Sequence, residues 1–555
     1  MKPTEQQKLI LDYDGNSVVI AAPGSGKTFV ISEKIKKNLK TLLEHQGVIA
    51  ISYTNKASTE LKNRSLSNGE NPMSSFFGTI DKFNLSEIII PFAKHLFGIP
   101  KSEIKITKIS TLPHEGKEAF EWFDRNLTLE ELSGDNIELL KSYFLNGMIM
   151  IETIGLLANY VYTNSVACKN YIRARYKYIY IDEYQDSGFE QHQIFQKIKF
   201  LNITAIAVGD LNQSIYAFSG KDAKYLEELT KDETFKYFKL DKNHRCHPSI
   251  INYSNYLLNP KTELISTEKN LIFFCRVDGN EMSIASWLDE KIDLVQKAFG
   301  IEKSNQIAIL TRNKRTAKII NETLKKPHKL SVNNDLDINL NVWCSIFSSL
   351  LHFAYDKNFK FIEVIEVFSS YDNFNKSDLE KLKIAKKKIE SIFSESVLNN
   401  DEIITKFINV AKIIAPDSKS QESIDLLKSV LENPIELKSY EPASENEVNI
   451  LTLHKSKGLE YDFVFHLDMY EWIFPQKKLT IPNNFNSVEF TSWTQDLNLH
   501  YVGITRARKG CWLVSSTKRT NDEGATKNGK DSEFIWKDNI ENLRFKKKID
   551  SENKT

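Results

Sequence analysis

The stretch "VVIAAPGSGKT", Val18 to Thr28, sets Gly24, Gly26, Lys27 and Thr28 directly behind an apolar run. Glycines at these places let backbone N–H groups converge on phosphate oxygens, Lys27 adds a mobile positive charge, and the Thr28 hydroxyl can ligate magnesium. The candidate cradle is Ala21, Ala22, Pro23, Gly24, Ser25, Gly26, Lys27 and Thr28, with Ala21 standing where the strict pattern G-x-x-x-x-G-K-[ST] has its first glycine. A second apolar run, "YKYIYIDEYQDS", ends on two carboxylates. Asp182 would hold the magnesium and Glu183 would polarise the water that attacks a terminal phosphate. A third, "ITAIAVGD", leads into "LNQSIYAFSG", which puts Gln213 where an uncharged side chain can sense that phosphate. Tyr216 and Phe218 follow, either to stack on unpaired bases or to fill the core.

These residues need strands that end together and helices that start beside them. After the cradle, "FVISEKIKKNLKTLL" repeats Ile31, Ile35, Leu39 and Leu42 at helical spacing, so the order is strand, loop, helix. The expected class is α/β, with parallel sheets flanked by helices and ligands at the strand ends. A chain of 555 residues divides into three or four compact units. With 41% hydrophobic and 26% charged residues it has a globular composition. A net charge of +1 means that any nucleic-acid surface is a local stripe. The cysteines Cys168, Cys246, Cys275, Cys344 and Cys511 are far apart, which speaks against disulfides and structural zinc and for core thiols. "MKPTEQQKLI" has no secretory apolar run, and "EIIIPFAKHLFGI" is short and interrupted by Pro91, Lys94 and His95. The expectation is a cytoplasmic protein with no membrane partner.

The motifs in this order resemble the superfamily 1 DNA helicases of the UvrD, Rep and PcrA type. "PTEQQKLI" is similar to the family's adenine-reading motif, with Gln6 at the matching position. "SYTNKASTELKNR" looks like the segment that touches a single strand, which implies DNA contacts by Tyr53, Thr54 and Asn55. "FGTIDKFN" adds Thr79, with Asp81 in place of the usual histidine. "DEYQDS" and "VGDLNQSIYAFSG" match two further motifs, although Ser219 replaces an arginine. "LDKNHRCHPSI" gives Arg245 a phosphate-reading role and puts His244 where the family stacks a tyrosine on adenine. "ILTLHKSKGLEYDFVFHLDMYEWIFP" brings His454 to the DNA and Glu460 to the nucleotide, and "LHYVGITRARKG" makes Arg506 the arginine finger.

The resemblance implies two RecA-like P-loop domains: 1–84 with 176–243, and 244–330 with 445–535. It also implies a helical insertion, 1B, at 85–175, a reduced helical insertion, 2B, at 331–444, and a basic tail at 536–555. In the first insertion "LEELSGDNIELLKSYF" and "TIGLLANYVY" read as helices. In the second, Lys386, Lys387 and Lys388 either contact duplex phosphate or form a solvated face opposite Leu382, Ala385, Ile389 and Ile392. The implied activity is ATP- and Mg2+-dependent 3′-to-5′ movement on single-stranded DNA, with duplex junctions or ends as further partners. Arg506, Arg245, Gln213 and Glu183 would be catalytic. A different class also fits. The chain resembles the helicase-like component of the Gabija antiphage system, which would make it a DNA-end-sensing subunit that activates an OLD-family TOPRIM nuclease. A metabolic P-loop kinase leaves Arg506 and the Tyr53 segment without a purpose.

Overall fold

The computed structural model describes residues 3–546 apart from 68, 103, 125–126, 217–219, 332, 340, 358, 366, 368–373, 395–398, 417–418, 482–483, 485–486 and 522–523. Runs such as "SVVIA" and "YKYIYI" are apolar and rich in β-branched and aromatic residues, which suits strands covered on both faces. They form one sheet from β1 (Ser17–Ala21), β2 (Gly47–Ile51), β3 (Phe76–Gly78), β4 (Tyr176–Ile181), β5 (Thr204–Gly209) and β6 (Lys236–Leu240). The order is β3-β2-β4-β5-β1-β6, and every pair is parallel, with Val19 opposite Val208 and Phe238. Because all six strands run the same way, the segments after β1, β4, β5 and β6 leave from one edge.

A second parallel sheet repeats the arrangement with β7 (Ile272–Val277), β8 (Ile307–Thr311), β9 (His328–Ser331), β10 (Val448–Thr452), β11 (Tyr461–His466) and β12 (Ala507–Ser516). Its order is β9-β10-β8-β11-β12-β7, with Ile309 between Ile450 and Phe465. Helices flank both sheets, so the α/β expectation holds.

Two insertions interrupt the sheets. The first follows a helical segment that starts at Ile80 and runs to Phe97 through a π-helical turn at Asn84–Ile89. Pro91 has no N–H to donate, and the wide turn, in which Ile90 N–H reaches the Leu85 carbonyl, absorbs that break. The insertion is not purely helical, since Lys105–Thr107 pairs in parallel with Met148–Met150. Nor does "LEELS" join the helix after it. Ser133 accepts from Asn136 N–H at 3.2 Å and starts the helix at Gly134.

The second insertion has its own core around Trp343, Phe347, Phe407 and Val410. Leu382 and Ile389 are buried in it, while Lys386 pairs with Glu390 at 3.6 Å on the exposed side. This geometry fits the solvated-face reading of the lysines. Of the basic tail expected at 536–555, residues 536–546 are packed, and the rest lie outside the described residues. Ile540 is buried, Phe545 N–H donates to the Ile272 carbonyl at 2.8 Å, and Arg544 lies over the rings of Trp536 and Phe274. Apolar anchors among the charges of "FIWKDNIENLRF" hold the segment against β7.

The five cysteines are free thiols, four of them buried. Among the described residues no helix is long and apolar enough to cross a membrane.

Candidate functional site

The loop after β1 turns through Gly24 (φ 68°) and Gly26 (φ 88°), left-handed conformations that a side chain would strain. Gly24 is also a point of close approach, where a Cβ would lie 2.6 Å from both the Asn243 Oδ1 and the Arg245 Cβ. His244 N–H donates to the Gly24 carbonyl at 2.9 Å, so the segment after β6 is tied to the loop. Gly26 caps the helix Lys27–Leu39, which puts Lys27 and Thr28 in its first turn, where backbone N–H groups have no partner within the helix. Ala21 is buried at the end of the strand. Ser25 Oγ donates to the Ala22 carbonyl at 2.7 Å, closing the turn around Pro23.

Lys27 Nζ lies 3.2 Å from Glu183 Oε1. Burial works to lower its pKa, but Glu183, Asp210 and Asp182 outweigh burial and raise it. The two adjacent carboxyl groups are driven apart. Burial first, and then Glu183, pushes Asp182 up; burial also penalises the Glu183 charge, but Lys27 and Lys457 prevail and bring its pKa down. Glu183 adopts φ 55°, a left-handed conformation unusual for a glutamate and of the kind found where function overrides local preference.

Several residues inside these motifs that were given no role in the sequence reading hold this centre. Gln185 is fully buried; its Nε2 donates to Glu183 Oε2 and its Oε1 accepts from Asp210 N–H at 2.9 Å. Asp210 Oδ2 in turn accepts from Gln213 Nε2 at 2.7 Å. A Cβ on Gly209 would lie 2.5 Å from Gln185 Oε1 and 2.6 Å from Leu226 Cδ2. Gly209→Ala is therefore expected to lower stability by roughly 1–3 kcal/mol, the range for overpacking a filled interior. A thermal midpoint equal to the parent protein's would contradict this.

The second lobe reaches across. Arg506 is 2% exposed, and its guanidinium donates to the Val502 carbonyl at 3.0 Å, the Leu459 carbonyl at 3.2 Å and Gln213 Oε1 at 3.4 Å. Burial, and then the neighbouring Arg245, bring its pKa down to about 10. Arg245 pairs with Glu460, which also accepts from Arg508 at 2.8 Å. Lys457 spans the lobes, bonding Asp186 Oδ2 at 2.5 Å and the Gln213 carbonyl at 2.8 Å.

Three of the expected DNA-contacting side chains come together beside this junction. Tyr53 and Tyr216 stack with centroids 4.8 Å apart, Tyr216 lies 6.4 Å from the His454 ring, and Lys457 Nζ sits 4.9 Å over Tyr216. Tyr216 also packs against the core of the second lobe, which agrees with the core-filling reading of it. Burial pushes the Tyr53 hydroxyl up to about 12 and the His454 imidazole down to about 4, which keeps both neutral at pH 7. Thr54 accepts from Ala57 N–H at 3.1 Å and starts the helix at Asn55; Thr79 accepts from Lys82 N–H at 3.4 Å. A cavity of 430 Å³ lined by Tyr53, Thr79, Asp182 and Glu183 runs between the two groups. Phe218 lies outside the described residues, as does Ser219.

Gln6 and His244 stand apart from the closed network. Gln6 Nε2 donates to Asp241 Oδ1 at 2.8 Å, and the His244 side chain is exposed. Gln7, unassigned in the sequence reading, is buried and donates to the Ser25 carbonyl at 3.0 Å. The capping box that it forms with Thr4 is the signal that could have found it.

Comparison with known proteins agrees with this geometry. An AAA domain family model matches residues 7–219, and the UvrD-like helicase C-terminal domain model matches residues 346–518. Over these two stretches the chain is similar to the UvrD-like helicases. The chain is 26% identical to Gabija protein GajB of Bacillus cereus, over 92% of its own length and 95% of the relative. It is 24% identical to DNA helicase II of Rickettsia typhi, covering 93% and 92% of the two chains. It is 23% identical to ATP-dependent DNA helicase PcrA of Bacillus subtilis, covering 98% and 86%.

Proposed function

We propose that this protein is a UvrD-like helicase, an ATP-driven motor that moves 3′ to 5′ on single-stranded DNA in the cytoplasm and opens duplex at junctions. The observation that carries this reading is the meeting of the lobes at one segment. Arg506 of the second lobe bonds Gln213 of the first, and Tyr216, three residues on, stands in an aromatic stack with Tyr53 and His454. The two RecA-like domains are taken as 1–84 with 176–243 and 244–330 with 445–535, with 1B and 2B inserted between them.

The loop Ala21–Thr28 would cradle the phosphates, and Gln6, His244 and Glu460 would surround the nucleoside. Thr28 and Asp182 suit Mg2+. A buried carboxyl whose charge is disfavoured gains from a divalent cation, and magnesium commonly takes one or two protein oxygens and completes its shell with phosphate and water. The ion would neutralise charge on the β- and γ-phosphates. Glu183 orients and deprotonates the attacking water, held in place by Gln185. Arg245 and Arg506 approach the developing phosphoryl charge, so hydrolysis requires the lobes to close. Similarity to proteins named DNA helicase II and PcrA supports the DNA substrate.

The deciding experiment compares ATP hydrolysis with and without a single-stranded oligonucleotide. The expected result is strong stimulation that Lys27→Ala abolishes; equal rates with and without DNA would sink the motor reading. Tyr216→Ala is expected to weaken single-strand binding by about 1–3 kcal/mol, whereas Tyr216→Phe keeps it, since stacking needs the ring and not the hydroxyl. Fluorescence anisotropy of a labelled oligonucleotide reads both.

A second reading is favoured by the similarity to Gabija protein GajB over nearly the whole of both chains. Here closure on DNA ends activates a partner nuclease, of the OLD-family TOPRIM kind, in antiphage defence. Hydrolysis stimulated by DNA ends, without strand separation in a helicase assay, would select it.

A further inference from the structure

The segment Gln213–Tyr216 follows β5 of the first lobe, yet three of its carbonyls and the Ile215 side chain are held by the second. Three successive carbonyls accept from three second-lobe side chains: Gln213 O from Lys457 Nζ at 2.8 Å, Ser214 O from Asn498 Nδ2 at 3.1 Å, and Ile215 O from Gln495 Nε2 at 3.0 Å. The Ile215 side chain is fully buried among Ile250, Leu451 and Val502 of the second core. On the first-lobe side Gln213 Nε2 donates to Asp210 Oδ2 at 2.7 Å, Ser214 Oγ donates to the Gln185 carbonyl at 3.3 Å, and the Tyr216 ring meets Tyr53 by stacking. Gln495 and Asn498 sit three residues apart on the helix Trp493–Ile504, whose end delivers Arg506. That spacing aims both amides from one helical face at successive carbonyls.

We propose that Gln495 and Asn498 are positioning residues that make the segment 213–216 travel with the second lobe. Any displacement between the lobes then changes two distances at once: Gln213 relative to Glu183, and Tyr216 relative to Tyr53. The helix Trp493–Ile504 thereby links hydrolysis to grip on the strand, acting through Gln213 and Tyr216 without touching nucleotide or DNA itself. This inference rests on the motor reading above.

The test uses isosteric variants that turn each donor into an acceptor, Asn498→Asp and Gln495→Glu, with Gln495→Lys keeping a donor. ATP hydrolysis is measured on the full chain with and without saturating oligo-dT. Each acceptor variant is expected to lower the DNA-stimulated kcat by about tenfold, the worth of one hydrogen bond, while DNA-free kcat and the KM for ATP stay at parent values. Gln495→Lys is expected to retain stimulation. Gln495 is only partly buried, so its variants keep the test alive if Asn498→Asp fails to fold. Parent-like stimulation in both acceptor variants, or an equal fall with and without DNA, overturns the proposal. If the parent protein is itself not stimulated, the motor reading falls. Amide exchange over residues 211–216 then tests the segment separately: protection by a non-hydrolysable ATP analogue should appear in the parent and vanish in Gln495→Glu, and equal protection in both overturns it.

Discussion

Arg506→Lys is expected to lower the DNA-stimulated turnover of ATP by about 10³–10⁵, the range attributed to an arginine finger. The size follows from how the side chain is held. Arg506 is 2% exposed and its guanidinium is anchored by the carbonyls of Val502 and Leu459, so one face is fixed within the second lobe while the other reaches Gln213 across the junction. An ammonium group has no rigid fork and cannot make these bonds at once; it either leaves a carbonyl without its donor or fails to reach the phosphate. Arg506→Ala would confuse the test, because it empties a buried site and costs stability as well. With the lysine variant, binding of a fluorescent ATP analogue should persist while steady-state hydrolysis collapses. A rate within about tenfold of the parent's would remove Arg506 from the chemistry and return the burden to Arg245.

The parts that were legible in the sequence are those where spacing alone sets geometry. Gly24, Gly26, Lys27 and Thr28 lie within one strand-to-helix turn, and Asp182 and Glu183 are adjacent at a strand end, so the local chain brings them into place. Apolar runs of strand length likewise gave the parallel sheets. What was hidden is held together by partners remote in the chain. Lys457 meets Asp186 across 271 positions, and Asn498 meets the Ser214 carbonyl across 284. A backbone carbonyl is the same in every residue, so no pattern of side chains announces it as a partner. The packing of residues 536–546, within the expected basic tail, was hidden for another reason. Charged and polar residues surround the few apolar ones there, while the burial of Ile540 and the aromatic surroundings of Arg544 depend on partners far earlier in the chain, Phe274 of β7 among them. Gln6 and Gln7 are a finer case, since both face the same region but only Gln7 is tied to the phosphate loop.

Glu183→Gln separates binding from hydrolysis. The amide keeps the shape and the hydrogen-bonding reach of the carboxylate, so Gln185 and the left-handed turn at residue 183 have no steric reason to move. What disappears is the charge that can take a proton from water, and general-base removal of this kind costs about 10²–10⁴ in rate. The second consequence concerns Lys27. Its ammonium group now stands 3.2 Å from Glu183, and that carboxylate heads the charges that raise its pKa. With a neutral amide at 183, Lys27 is drawn less strongly away from an incoming phosphate, so ATP should bind at least as tightly as to the parent. Lys27→Ala should do the opposite and weaken binding along with hydrolysis. Single-turnover hydrolysis and equilibrium binding of ATP, measured side by side on the two variants, distinguish the roles. If Glu183→Gln loses binding and rate together, residue 183 serves the cradle and not the water, and the base must be sought among the other carboxylates of the site, Asp182, Asp186 and Asp210.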